Sequence, residues 1–134
     1  MKVSKVLETC LCVDDLEAAE AFYTDVLGLE FYAKVPGRHC FFRCGDEMLL
    51  LFDPKATATA DALKFPGHGT TGAGHAAFKM TKDEINDWRE QLVAKGVEIE
   101  TEWEWPGGGF SLYFRDPAGN SLELVTPATW KLAE

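Results

Sequence analysis

One pattern occurs twice along this chain, and it restricts the fold more than any other feature. KVLETCLCV alternates and is rich in Val, Leu and Cys, the period-two signature of a strand. DDLEAAEAFYTDVLG follows. Asp14 is a good N-cap, Glu17 completes a capping box, and Leu16, Ala19, Phe22, Tyr23 and Val26 recur at helical spacing. Gly28 stands past the last turn, where a positive φ is wanted. Strands are predicted next at Glu30 to Val35, His39 to Cys44 and Met48 to Asp53, with Gly37 and Gly45 at the turns. The same order returns from residue 74. GHAAFKM alternates as a strand, and Thr81 and Glu84 form a second capping box. Ile85, Trp88 and Leu92 supply the apolar stripe, and Gly96 ends the helix. Strands follow at Val97 to Trp103, Ser111 to Arg115 and Ser121 to Thr126. The expectation is an α+β protein of two paired β-α-β-β-β modules whose mixed sheets curve around a central cavity.

Module one then runs over about 3–54, a small and polar linker over 55–73, and module two over about 74–127. The linker lacks charge runs and low complexity, so the 134 residues read as a single domain. The formal net charge of −9 disfavours nucleic acid and anionic membrane as partners, since both want basic surface. The longest apolar run, Met48 to Phe52, is far too short to span a bilayer, and MKVSKVLETC lacks a signal-peptide core. A cytoplasmic location is expected. Cys10, Cys12, Cys40 and Cys44 do not match a zinc-ribbon spacing and read as reduced, half-buried thiols.

The carboxylate of Glu123 stands out, because Leu122, Leu124 and Val125 around it read as a buried strand. Strand parity places Leu7, Leu11 and Val13 on one face and Glu8, Cys10 and Cys12 on the other. Likewise Ala76, Phe78 and Met80 oppose His75, Ala77 and Lys79, and Leu122 and Leu124 oppose Ser121, Glu123 and Val125. Glu8 and His75 hold equivalent places ahead of the two caps. With the greasier faces under the helices, Glu8, His75 and Glu123 share the opposite side. One imidazole and two carboxylates suit a divalent metal with open positions for a ligand.

VDDLEAAEAFYTDVLGLEF, GHAAFKM and GGGFSLYFRDPAGNSLELV together resemble the vicinal oxygen chelate superfamily, which includes glyoxalase I, bleomycin-resistance proteins, fosfomycin-resistance proteins and extradiol dioxygenases. The resemblance implies metal ligands at Glu8, His75 and Glu123, and a homodimer whose sites are built from or shared between both subunits. Glyoxalase I enzymes have a further Glu ligand in the last strand of module one. Here that strand is EMLLLFD, which offers Leu49, or Leu50 or Leu51 in a shifted register. The resemblance implies a small oxygen-bearing substrate at Mn, Fe, Ni or Zn, with lyase, isomerase or dioxygenase chemistry. Glu8 and Glu123 are the catalytic candidates, Glu8 as the general base. Cys10, Trp103, Trp105, Phe110 and Tyr113 are the candidate substrate pocket. The alternative is a metal-free binding or sequestration protein of the bleomycin-resistance type, with Trp103, Trp105, Phe110 and Tyr113 as stacking surface.

Overall fold

Apolar periodicity and turn glycines decide where the elements fall. The computed structural model describes residues 1–58 and 65–133, so part of the expected linker lies outside the described residues. They form two units, Met1–Gly72 and Ala73–Glu134.

In the first unit β1 (Glu8–Cys12) leads to α1 (Leu16–Asp25), then β2 (Glu30–Val35), β3 (His39–Cys44), β4 (Glu47–Phe52) and a short α2 (Pro54–Thr57). The strand order is β1-β4-β3-β2, with β1 parallel to β4 and the other pairs antiparallel. Asp15, one residue later than the sequence suggested, caps α1 by accepting from the Ala18 amide at 2.9 Å. Gly28 takes φ +66, as its position past the helix required. Ala19 and Tyr23 on α1 are fully buried, and the Tyr23 ring lies 5.9 Å from Phe42 on β3. Leu49 and Leu51 on β4 complete this core, each such side chain contributing about 1.5–3 kcal/mol by leaving water. Leu11 and Val13 are buried as parity demands, but Leu7, ahead of β1, is 67% exposed. The start of the expected linker is ordered as α2, capped by Asp53, which accepts from the Lys55 and Ala56 amides.

The second unit repeats the plan. β5 (His75–Lys79) precedes a 3-10 turn at Lys82–Glu84 and α3 (Ile85–Ala94), followed by β6 (Thr101–Glu104), β7 (Phe110–Arg115), β8 (Ser121–Val125) and a 3-10 turn at Pro127–Trp130. The order is β5-β8-β7-β6, with β5 parallel to β8. The Thr81 amide donates to Glu84 Oε2 at 2.7 Å, closing the predicted capping box. Leu92 from α3 packs into a core with Met80, Leu112, Phe114, Leu122 and Leu124. β6 starts at Thr101 rather than Val97, because the Val97 amide still closes the helix end on the Leu92 carbonyl.

Candidate metal centre

The geometry around Glu123 begins with a turn. DPAGN joins β7 to β8, and Asp116 Oδ1 accepts from the amides of Ala118 and Asn120. Asn120, 1% exposed, donates its side-chain amide to Asp116 Oδ2 and accepts the Gly74 amide at 2.7 Å. The Ser121 amide donates back to the Gly74 carbonyl at 2.9 Å. The residue just ahead of β5 is thereby clamped to the start of β8. This fixes the parallel register in which His75 faces Ser121 and Ala77 faces Glu123.

Glu123 is 7% exposed. Burial of a carboxylate requires partners, and β7 supplies them. Ser111 donates its hydroxyl to Glu123 Oε1 at 2.5 Å and accepts the Trp105 indole N–H at 2.8 Å. Tyr113 stands directly across the ladder from Glu123. Burial first, and its hydrogen bond to Glu123 second, push the Tyr113 phenol above its ordinary range.

The other carboxylate oxygen, Oε2, lies 3.4 Å from His75 Nε2. His75 Nδ1 is 3.0 Å from the Ser121 carbonyl oxygen. A carbonyl only accepts, so hydrogen-bond geometry assigns the ring proton to Nδ1. The second ring nitrogen, Nε2, is then the atom turned toward the carboxylate oxygen. A ring proton on Nε2 or a metal ion would each suit that carboxylate neighbour. A backbone carbonyl holding the far nitrogen is also the usual support of a metal-bound histidine. The His75 side chain is 52% exposed, so the pair is reachable from solvent.

Glu8 opens β1 in the first unit as His75 opens β5 in the second, and it is exposed. Among the described residues, no three His, Cys, Asp or Glu side chains are gathered so as to hold an ion. The ladders also settle which leucine matches Glu123. Leu50 pairs with Cys10, two residues after Glu8, as Glu123 pairs with Ala77, two residues after His75. Leu50, rather than Leu49, is the counterpart, and it offers no donor atom.

The expected pocket residues divide. Cys10 is exposed on β1, and Trp103 is 52% exposed with its ring edge-on to Trp105 at 6.4 Å. Phe110 is half-buried, with its amide on Thr126 Oγ1 at 2.9 Å. Trp105 and Tyr113 are wired to Glu123 as described. Ser111 escaped the sequence reading, although it shares the strand parity of Tyr113.

A model of the Glyoxalase/Bleomycin resistance protein/Dioxygenase superfamily matches residues 5–124. The chain belongs to this superfamily. A crystal structure of a lactoylglutathione lyase from Agrobacterium tumefaciens matches this glyoxalase-superfamily chain at 46% identity and TM-score 0.95, covering 98% of this chain and all of that one. Biphenyl-2,3-diol 1,2-dioxygenase 3 of Rhodococcus globerulus is 32% identical over 117 residues, or 85% of this chain, which spans only 58% of that enzyme's length. Glutathione transferase FosA of Serratia marcescens is 27% identical over 114 residues, covering 85% of this chain and 74% of that enzyme. The superfamily thus includes lyases and dioxygenases. Among the described residues no helix is long and apolar enough to cross a membrane.

Proposed function

We propose that this glyoxalase-superfamily protein is a divalent-metal-dependent enzyme acting on a small oxygen-bearing substrate, with lyase or isomerase chemistry ahead of dioxygenation. Full-length similarity to a lactoylglutathione lyase supports that order, since the similarity to the dioxygenase spans only part of the latter enzyme. The observation that carries the reading is His75 Nε2 set 3.4 Å from Glu123 Oε2, with His75 Nδ1 held at the Ser121 carbonyl. His75, Glu123 and Glu8 are the proposed ligands, and an imidazole with two carboxylates fits Mn, Fe, Ni or Zn. Such an ion supplies a Lewis acid for adjacent substrate oxygens. Ser111 and Tyr113 hold the Glu123 carboxylate in place, and the Ser121 carbonyl orients the His75 ring. Glu8, exposed and without such bracing, is the residue suited to take and return a substrate proton. With Leu50 opposite Cys10, the β4 position that matches Glu123 adds no fourth ligand. A homodimer is expected from the superfamily.

Metal content tests this reading. Protein purified without tag or chelator should carry near-stoichiometric transition metal by elemental analysis. Glu123→Gln and His75→Ala should lose it while circular dichroism stays unchanged. Undiminished metal in Glu123→Gln would sink the ligand set. The second reading, a metal-free binding protein, draws on the exposed Trp103 ring edge-on to Trp105. Absence of metal, with none taken up on incubation, would favour it.

A further inference from the structure

The first unit holds a cavity of about 560 Å³, within the size range of small-molecule sites. Its walls are mostly rings. His39 and Phe41 on β3 stack at 4.1 Å with 9° between their planes. The Phe52 ring stands at 68° to Phe41 at 5.3 Å, and His68 meets Phe52 at 84° and 4.5 Å. Faces and edges at such angles make a corner in which a flat ring touches two aromatic surfaces. The corner is built, since His68 donates its amide to the Thr57 carbonyl at 2.8 Å and Arg38 accepts the Asp53 amide through its carbonyl at 2.9 Å. Phe52 pairs with His39 across the β3–β4 ladder, which places both rings on one side of the sheet.

Two charged side chains line the same cavity, Arg38 and Glu8. Arg38 Nη1 lies 2.8 Å from His39 Nδ1. A guanidinium only donates, so His39 Nδ1 is the acceptor and Nε2 bears the ring proton. Burial first, and the Arg38 charge second, push His39 below its ordinary range, which keeps it neutral. A guanidinium carries five N–H donors in a fork that matches a carboxylate. Glu8 repels a carboxylate, so an acid group is directed toward Arg38 and the other end of the ligand toward Glu8.

We propose that this cavity binds a flat aromatic acid, with its carboxylate at Arg38 and its ring in the corner formed by His39, Phe41, Phe52 and His68. The inference rests on the metal reading only in making the far end of that ligand, facing Glu8, the reacting end. The cavity itself needs no ion.

The test is calorimetric titration of the whole protein, metal-loaded and EDTA-treated, with 2-naphthoate as probe. 2-Naphthylmethanol keeps the rings without the charge, and cyclohexanecarboxylate keeps the charge without an aromatic ring. Naphthoate should bind both preparations more tightly than either control. Phe41→Leu should weaken naphthoate by roughly three- to tenfold, the size of one aromatic contact, and leave cyclohexanecarboxylate unchanged. Arg38→Gln should abolish the preference for naphthoate over naphthylmethanol. Circular dichroism of both variants checks folding. No binding of naphthoate at millimolar concentration, equal binding of cyclohexanecarboxylate, or insensitivity to both substitutions would overturn the proposal. Metal content measured on the same samples reports the fate of the metal reading separately.

Discussion

Ser111 joins Trp105 to Glu123 through a single hydroxyl, donating to the carboxylate and accepting from the indole. It is fully buried, so neither partner gains water when the hydroxyl is removed. Ser111→Ala should therefore cost about 1–3 kcal/mol in urea unfolding, the penalty for stranding a buried polar partner. If Glu123 is a metal ligand as proposed, metal affinity should also fall, by about 10–100-fold, because the carboxylate loses its brace. Stability loss with unchanged metal affinity would make Ser111 a packing residue only. Glu123 itself was legible in the sequence, since a charge among Leu122, Leu124 and Val125 demands a partner. Ser111 was not, because a serine on a strand carries no such demand. Only the strand pairing brings its hydroxyl to the carboxylate.

The turn joining β6 to β7 shows the same division at the scale of an element. Within WEWPGGGF the Trp105 amide donates to the Gly109 carbonyl and the Gly108 amide to the Trp105 carbonyl, closing a tight turn. Its three glycines are not equivalent. A Cβ on Gly109 would collide with the Thr129 hydroxyl and come within 2.5 Å of the Thr129 backbone, whereas one on Gly107 meets nothing within 4 Å. Gly109→Ala should destabilise the protein by about 3 kcal/mol or more, as overpacking against backbone does. Gly107→Ala should stay within about 0.5 kcal/mol in the same urea titration. Equal effects would mean that the Pro127–Trp130 turn yields easily. Local signals sufficed for β2 and β3, where alternation and Gly37 set the limits. They failed at Gly109 because the approach of Thr129 is a tertiary event.

Across the whole molecule, stability should depend on pH from both ends. Burial pushes the Cys40 thiol from 9.0 up to about 11, and the residue is 1% exposed. The folded chain holds this proton more tightly than the unfolded one, so stability should fall as pH rises from about 9 towards 11. At the acid end, Arg115 lowers Glu100 and Arg89 lowers Glu102 by hydrogen bonding. Their contribution is present above the ordinary carboxylate range and is lost as pH falls through the lowered values. Urea midpoints across pH should trace both arms, and Cys40→Ala should flatten the alkaline one. An unchanged alkaline slope would assign it to another group. The repeated strand order was readable from the pattern, but the inequality between repeats needed the ladder register. Leu50 and Glu123 hold matching places and do opposite things, one filling space and the other holding charge.

The parallel pairing of β5 with β8 has a kinetic consequence. His75 and Glu123 lie on strands separated by α3, β6 and β7, so their approach closes a long loop. Such contacts form slowly, because chain entropy is lost before any local reward arrives. During synthesis, the second unit cannot present its donor pair until residue 123 has left the ribosome and the last rung of the sheet has zipped. Ion capture at that pair would therefore mark the end of folding rather than guide its start.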